Sequence, residues 1–76
     1  MRNNAKRKLI NIAEIEGFKD THDLIEAYYT DSAVPGICMN PDCDYTVEVE
    51  PDQTQGFCEK CGTKTVVSAL VLAGVV

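Results

Sequence analysis

The sequence predicts a small α+β protein: a pair of short N-terminal helices, then a three-stranded antiparallel sheet with two cysteine-bearing turns and an apolar C-terminal strand or helical turn. Three observations predict it. Apolar residues between positions 5 and 29 recur at helical spacing, while residues 44–50 alternate with a period of two. All four cysteines fall in two close pairs, Cys38/Cys43 and Cys58/Cys61, separated by fourteen residues.

That spacing is what a tetrahedral metal site needs. Each pair sits on a tight turn, and the spacer lets the turns fold back until four sulfurs converge at about 2.3 Å from one Zn²⁺. Cys58 and Cys61 have two residues between them and are followed by Gly62, which can take the left-handed conformation such a turn requires. Cys38 and Cys43 are spaced more loosely, but Asn40, Pro41 and Asp42 between them are turn formers. Size points the same way. A chain of 76 residues is one domain at most, and one so short buries only about 60% of its unfolded surface, so a metal or disulfides commonly supplement its core. Four cysteines would also allow two disulfides in any of three pairings. The N-terminus does not read as a secretory signal, because Asn11, Glu14 and Glu16 interrupt its apolar positions. The expectation is therefore a cytoplasmic protein, in a reducing compartment where paired cysteines bind metal.

In chain order, residues 1–8 read as a polar lead-in with Asn3 or Asn4 able to cap a helix. The first helix is predicted over residues 5–16. It gathers Ala5, Leu9, Ile12, Ala13 and Ile15 on one side and leaves Lys6, Lys8, Asn11 and Glu14 mostly elsewhere. Gly17 ends it, and Phe18 packs back onto it. Asp20 or Thr21 caps a second helix running to about Tyr29, with Leu24, Ala27 and Tyr28 on one face and Ile25 and Tyr29 beside it. Residues 30–36 (TDSAVPG) read as a hinge. A strand with an acidic outer face follows, in which Tyr45, Val47 and Val49 point one way and Thr46, Glu48 and Glu50 the other. Residues 51–56 form a turn, and Phe57 starts the return strand of a hairpin. Thr65, Val66 and Val67 suit a third strand pairing with that hairpin. Ser68 then caps a short helical segment that Gly74 ends, and this apolar stretch closes the core or forms an interface. The organisation is residues 1–34 as the helical pair and 35–76 as the metal-bearing sheet with its apolar end, together one folded unit.

Several function classes are disfavoured. Four cysteines leave a zinc ion no open position for a catalytic water, and one histidine cannot serve a Ser/His/Asp grouping, so no enzymatic activity is expected. His22 reads as a surface residue of the second helix rather than a ligand. The formal net charge is −5, and four of the seven Lys and Arg residues (Arg2, Lys6, Arg7, Lys8) lie in the first eight positions. Four thiolates around one divalent ion add roughly two more negative charges, so the body repels a phosphate backbone while the basic arm can touch nucleic acid. The second helix carries Asp23 and Glu26 but no Lys or Arg, unlike a DNA-reading helix. The apolar C-terminal run is about half the length that crosses a bilayer, and no membrane contact is expected.

Cys38-x4-Cys43 with Cys58-Glu59-Lys60-Cys61-Gly62 resembles the zinc ribbon class. Together with residues 35–38, 44–52 and 65–74, it resembles a set of small uncharacterised zinc-ribbon proteins of bacteria and their phages, over roughly residues 9–76. The resemblance implies metal ligands at Cys38, Cys43, Cys58 and Cys61 and one structural zinc. For ribbons generally it implies contact modules for protein or nucleic acid, often in transcription machinery. Two departures concern the first turn: its four-residue spacing, and Asp44 where a Gly often follows the pair. The function expected is a non-enzymatic zinc-binding module acting in protein interaction, as monomer or homodimer, with an unidentified protein partner. Two alternatives stand beside it. One is a nucleic-acid-associated or transcription-related regulator using the basic arm. The other is a rubredoxin-like iron protein for electron transfer.

Overall fold

The computed structural model describes the backbone of residues 2–75 and the side chains of residues 5–75. Three helices and four strands follow one another as α1 (Arg2–Glu16), α2 (Thr21–Tyr28), β1 (Val34–Cys38), β2 (Thr46–Val49), β3 (Gly56–Cys58), β4 (Thr63–Ser68) and α3 (Ala69–Leu72). The α+β class follows from this order. Helix α1 starts at Arg2 rather than near Ala5, so it already runs through Asn3 and Asn4 where a capped lead-in is expected. Gly17 ends it at φ +82°. The turn is closed by Phe18 N–H donating to Ala13 O (2.8 Å) and Gly17 N–H to Glu14 O (3.2 Å), the paired bonds of a left-handed glycine cap. Asp20 caps α2, its Oδ1 accepting from the Asp23 N–H at 2.9 Å. Gly74 at φ +77° repeats the glycine cap after α3, with Val75 N–H on Leu70 O and Gly74 N–H on Val71 O.

The sheet departs from the sequence expectation. It has four antiparallel strands in the order β2-β1-β4-β3, not three. Strand β1 begins within the stretch read as a hinge: Pro35 and Gly36 are strong turn formers in isolation but here lie inside a fully buried strand. Pro35 is tolerated because β1 pairs with β4 only from Gly36 onward, so Pro35 has a ladder on one side alone, opposite Glu48. The predicted hairpin between β2 and β3 does not form. Those strands occupy opposite edges, with β1 and β4 between them.

One apolar cluster joins the helices to the sheet: Leu9, Ile12 and Ala13 of α1, Leu24 of α2, Ile37 of β1 and Ala69 of α3. Phe18 and Tyr28 pack against it, with ring centroids 6.0 Å apart in an edge-on arrangement. A second cluster holds Cys38, Cys43, Cys58 and Val66, flanked by Tyr45 and Val49. Four helix-region side chains break the predicted faces. Ile15 is half exposed, Ala27 and Tyr29 of the second helix region face outward, and Lys8 is buried at 2% exposure in the apolar stripe of α1. The C-terminal run divides: Ala69 and Leu70 are core, Leu72 and Ala73 are half-buried, and Val75 is exposed. Among the described residues, no helix is long and apolar enough to cross a membrane.

Candidate metal centre

Two turns build the site. The first leaves the end of β1, where Cys38 N–H donates to Tyr45 O (2.9 Å) and Met39 N–H to Thr65 O (2.8 Å). These bonds fix Cys38 against the start of β2 on one side and β4 on the other. The chain then turns through Asn40, Pro41 and Asp42, and Cys43 N–H closes the turn on Asn40 O at 3.0 Å. The looser spacing is therefore taken up in a hydrogen-bonded loop. The second turn leaves β3. Gly62, at φ +72°, donates its N–H to Cys58 O at 2.7 Å, and Cys61 N–H points at Cys58 Sγ at 3.2 Å. Such an N–H stabilises negative charge on the sulfur.

The turns bring the four sulfurs within 4.8 Å of one another. The close contacts run between turns, with Cys38 Sγ to Cys61 Sγ at 3.8 Å and Cys43 Sγ to Cys58 Sγ at 3.7 Å. All four are free thiols; Cys38, Cys43 and Cys58 are buried and Cys61 is exposed. A sulfur–sulfur bond is about 2.05 Å long, so the cluster is not a pair of bridges. A tetrahedron with sulfurs about 2.3 Å from a central ion has edges of about 3.8 Å, which the two contacts between turns match.

The electrostatics prepare for a cation. Burial pushes the Cys38 thiol up, but Thr65 Oγ1 at 3.1 Å, the Asn40 backbone and the neighbouring thiols Cys43 and Cys58 outweigh it, bringing it down from 9.0 to about 6. At Cys61 a contact with Asn40 favours the thiolate. Cys43, burial, Cys38 and Cys58 oppose it and push the thiol up to about 11. The first thiolate thus forms readily, and its negative charge makes the last one costly until a cation balances it.

Sequence reasoning missed three side chains around the centre. Thr65 steadies Cys38, with Thr63 Oγ1 3.0 Å from its hydroxyl. Tyr45 OH donates to Glu59 Oε2 at 3.3 Å, linking the approach to β2 with the second turn. Lys8 sends its Nζ to two carbonyls of the first turn, Asn40 O at 2.7 Å and Cys43 O. Its position one helical turn before Ile12 was the available signal, since both fall on the inward stripe. His22 lies elsewhere, exposed on α2 with Nε2 3.1 Å from Glu26 Oε2. It takes no part in the cysteine cluster.

Comparison with protein-family models, with curated proteins and with solved structures finds no match. Functional meaning therefore rests on the geometry. A fully thiolate donor set of this shape suits zinc and also admits iron.

Proposed function

We propose that this chain is a non-enzymatic module of the zinc-ribbon kind, in which Cys38, Cys43, Cys58 and Cys61 hold one structural Zn²⁺ and the rest of the surface serves protein interaction. The observation that carries it is the convergence of four unbridged sulfurs from two turns. All four donors come from the protein, which leaves a tetrahedral ion no position for substrate. The ion's role is then architectural: it ties β1 to β3 across a sheet whose own core is small.

Protein interaction is supported by the surface left beside the helices. Leu9, Ile25, Tyr29, Leu72 and Val75 line an open, mainly apolar groove of about 770 Å³. The acidic edge at Glu48 and Glu50 is a second exposed feature. The nucleic-acid alternative draws less support, because Lys8 is spent inside the fold while Lys6 and Arg7 remain exposed.

Elemental analysis of the purified chain, combined with sedimentation across a concentration range, tests the proposal. One zinc per chain with self-association or a retained partner supports it. Iron in its place moves the reading to electron transfer, and a metal-free, monomeric chain without partners ends it. Binding to DNA or RNA that weakens steeply with salt would favour the basic-arm alternative.

A further inference from the structure

Lys8 lies on a helix outside the metal-bearing turns, yet its charged end is spent on them. The side chain is 2% exposed and donates to Asn40 O and Cys43 O. Cys43 is one of the four clustered cysteines, and Asn40 O also accepts the Cys43 N–H that closes the turn. The ammonium therefore sits in the fold only where these two carbonyls are held side by side. A buried charge without fixed partners is strongly unfavourable.

We propose that Lys8 makes the docking of α1 conditional on the metal. This rests on the zinc reading above and deepens it. With the ion bound, Cys43 is anchored, the first turn stays closed and both carbonyls receive the ammonium. Without it, Cys43 is free to swing, the carbonyls separate, and the same ammonium opposes burial. The apolar contacts of Leu9, Ile12 and Ala13 favour docking in either state, so Lys8 is the metal-sensitive part of the α1 contact. Linkage requires the reverse effect as well: the Lys8 bonds stabilise the closed turn and so raise metal affinity. Lys8 is a positioning residue for the first turn. Metal occupancy becomes a switch on whether α1 covers the core.

Hydrogen–deuterium exchange on the full chain, with zinc and after chelation, reads both halves. In the wild type, chelation should accelerate exchange across residues 9–16 at least tenfold, reversed by zinc. In Lys8→Met, which keeps the length and removes the charge, chelation should leave α1 protected, while zinc affinity measured against a chromophoric chelator falls about tenfold. If Lys8→Met does not fold, Lys8→Gln carries the same expectation without the charge. Wild-type α1 protection that ignores chelation while the first turn opens would overturn the inference and leave the zinc reading standing. Equal loss of α1 protection in the wild type and in the neutral variant would do the same. A wild-type chain that binds no zinc removes the zinc reading itself, and the inference with it.

Discussion

Gly36, in the middle of β1, lies directly under Val49: a Cβ on Gly36 would stand 2.8 Å from Val49 Cγ2 and 3.0 Å from Val66 Cγ1. Valines of β2 and β4 thus close over a gap that only glycine leaves. The contact lies two residues from Cys38, on the strand that leads into the first turn. Gly36→Ala must push both valines aside in a buried strand, which is expected to destabilise the fold by about 1–3 kcal/mol. Urea denaturation of the zinc-loaded protein measures it, and an unchanged midpoint would show that the valines move without cost.

The four cysteines are expected to act as one unit, with different structural consequences. Cys58 is fully buried and receives the Cys61 N–H on its sulfur, whereas Cys61 is exposed. Cys58→Ser and Cys61→Ser should each reduce bound zinc well below one ion per chain, with the greater loss of structure in Cys58→Ser. His22→Ala serves as the control. Its pairing with Glu26 is solvent-exposed, worth at most about 0.5 kcal/mol. Zinc content by elemental analysis and secondary structure by circular dichroism check all three; wild-type zinc in both serine variants would contradict the assignment.

What the sequence disclosed depended on the range of the interaction. The cysteine cluster was legible because its chemistry is written in short spacings, and the turn glycine Gly62 adjoins its cysteine. All helix ends but the start of α1 were legible for the same reason: Gly17, Asp20, Ser68 and Gly74 each act on backbone groups within a few residues, and each terminates or caps where expected. Strand pairing was legible only in part: β4 pairs with β3 as expected, but the β2–β3 pairing does not form. Residues 44–57 look locally like a hairpin, and only the partners supplied by β1 and β4 hold β2 and β3 at opposite edges. Pro35 and Gly36 looked like a hinge because local propensity does not reveal that Val49 and Val66 need the space above Gly36. The charge of Lys8 points to a solvated arm, although its helical position places it on the side of Ile12. The carbonyls that satisfy it lie more than thirty residues away, beyond any local pattern.

Gly62 offers a separate test of the second turn. Its φ is +72°, and a Cβ there would meet nothing within 4 Å. Substitution therefore probes backbone conformation without a packing change. Gly62→Ala should cost about 1–2 kcal/mol through the left-handed backbone alone, and it should weaken zinc binding because the Gly62 N–H bond to Cys58 O shapes the turn. A chelator competition assay reads the affinity. Gly17→Ala, at φ +82° with equally open surroundings, should show a similar stability loss with little change in zinc affinity. Equal affinity losses in the two variants would mean that the second turn has no special influence on the metal.

Acid should release the metal, with a direction fixed by the thiols. Zinc binds thiolates, so every cysteine that carries a proton at the working pH must lose it on binding, and lowering the pH opposes binding. The Cys38 thiol is held down at about 6, so above that pH it contributes a ligand with little proton competition. Cys61, pushed up to about 11, gives up a proton throughout the neutral range. Zinc affinity should accordingly decline from alkaline to neutral pH, then fall more steeply below about 6, where Cys38 is protonated as well. Titrating the zinc-loaded protein downward in pH, with free zinc followed by a chromophoric indicator, gives the curve. The Thr65 hydroxyl beside Cys38 Sγ supplies part of that lowering, so Thr65→Val should move the steep portion to higher pH. A curve that keeps its midpoint in Thr65→Val would assign the low Cys38 value to the neighbouring thiols and the Asn40 backbone instead.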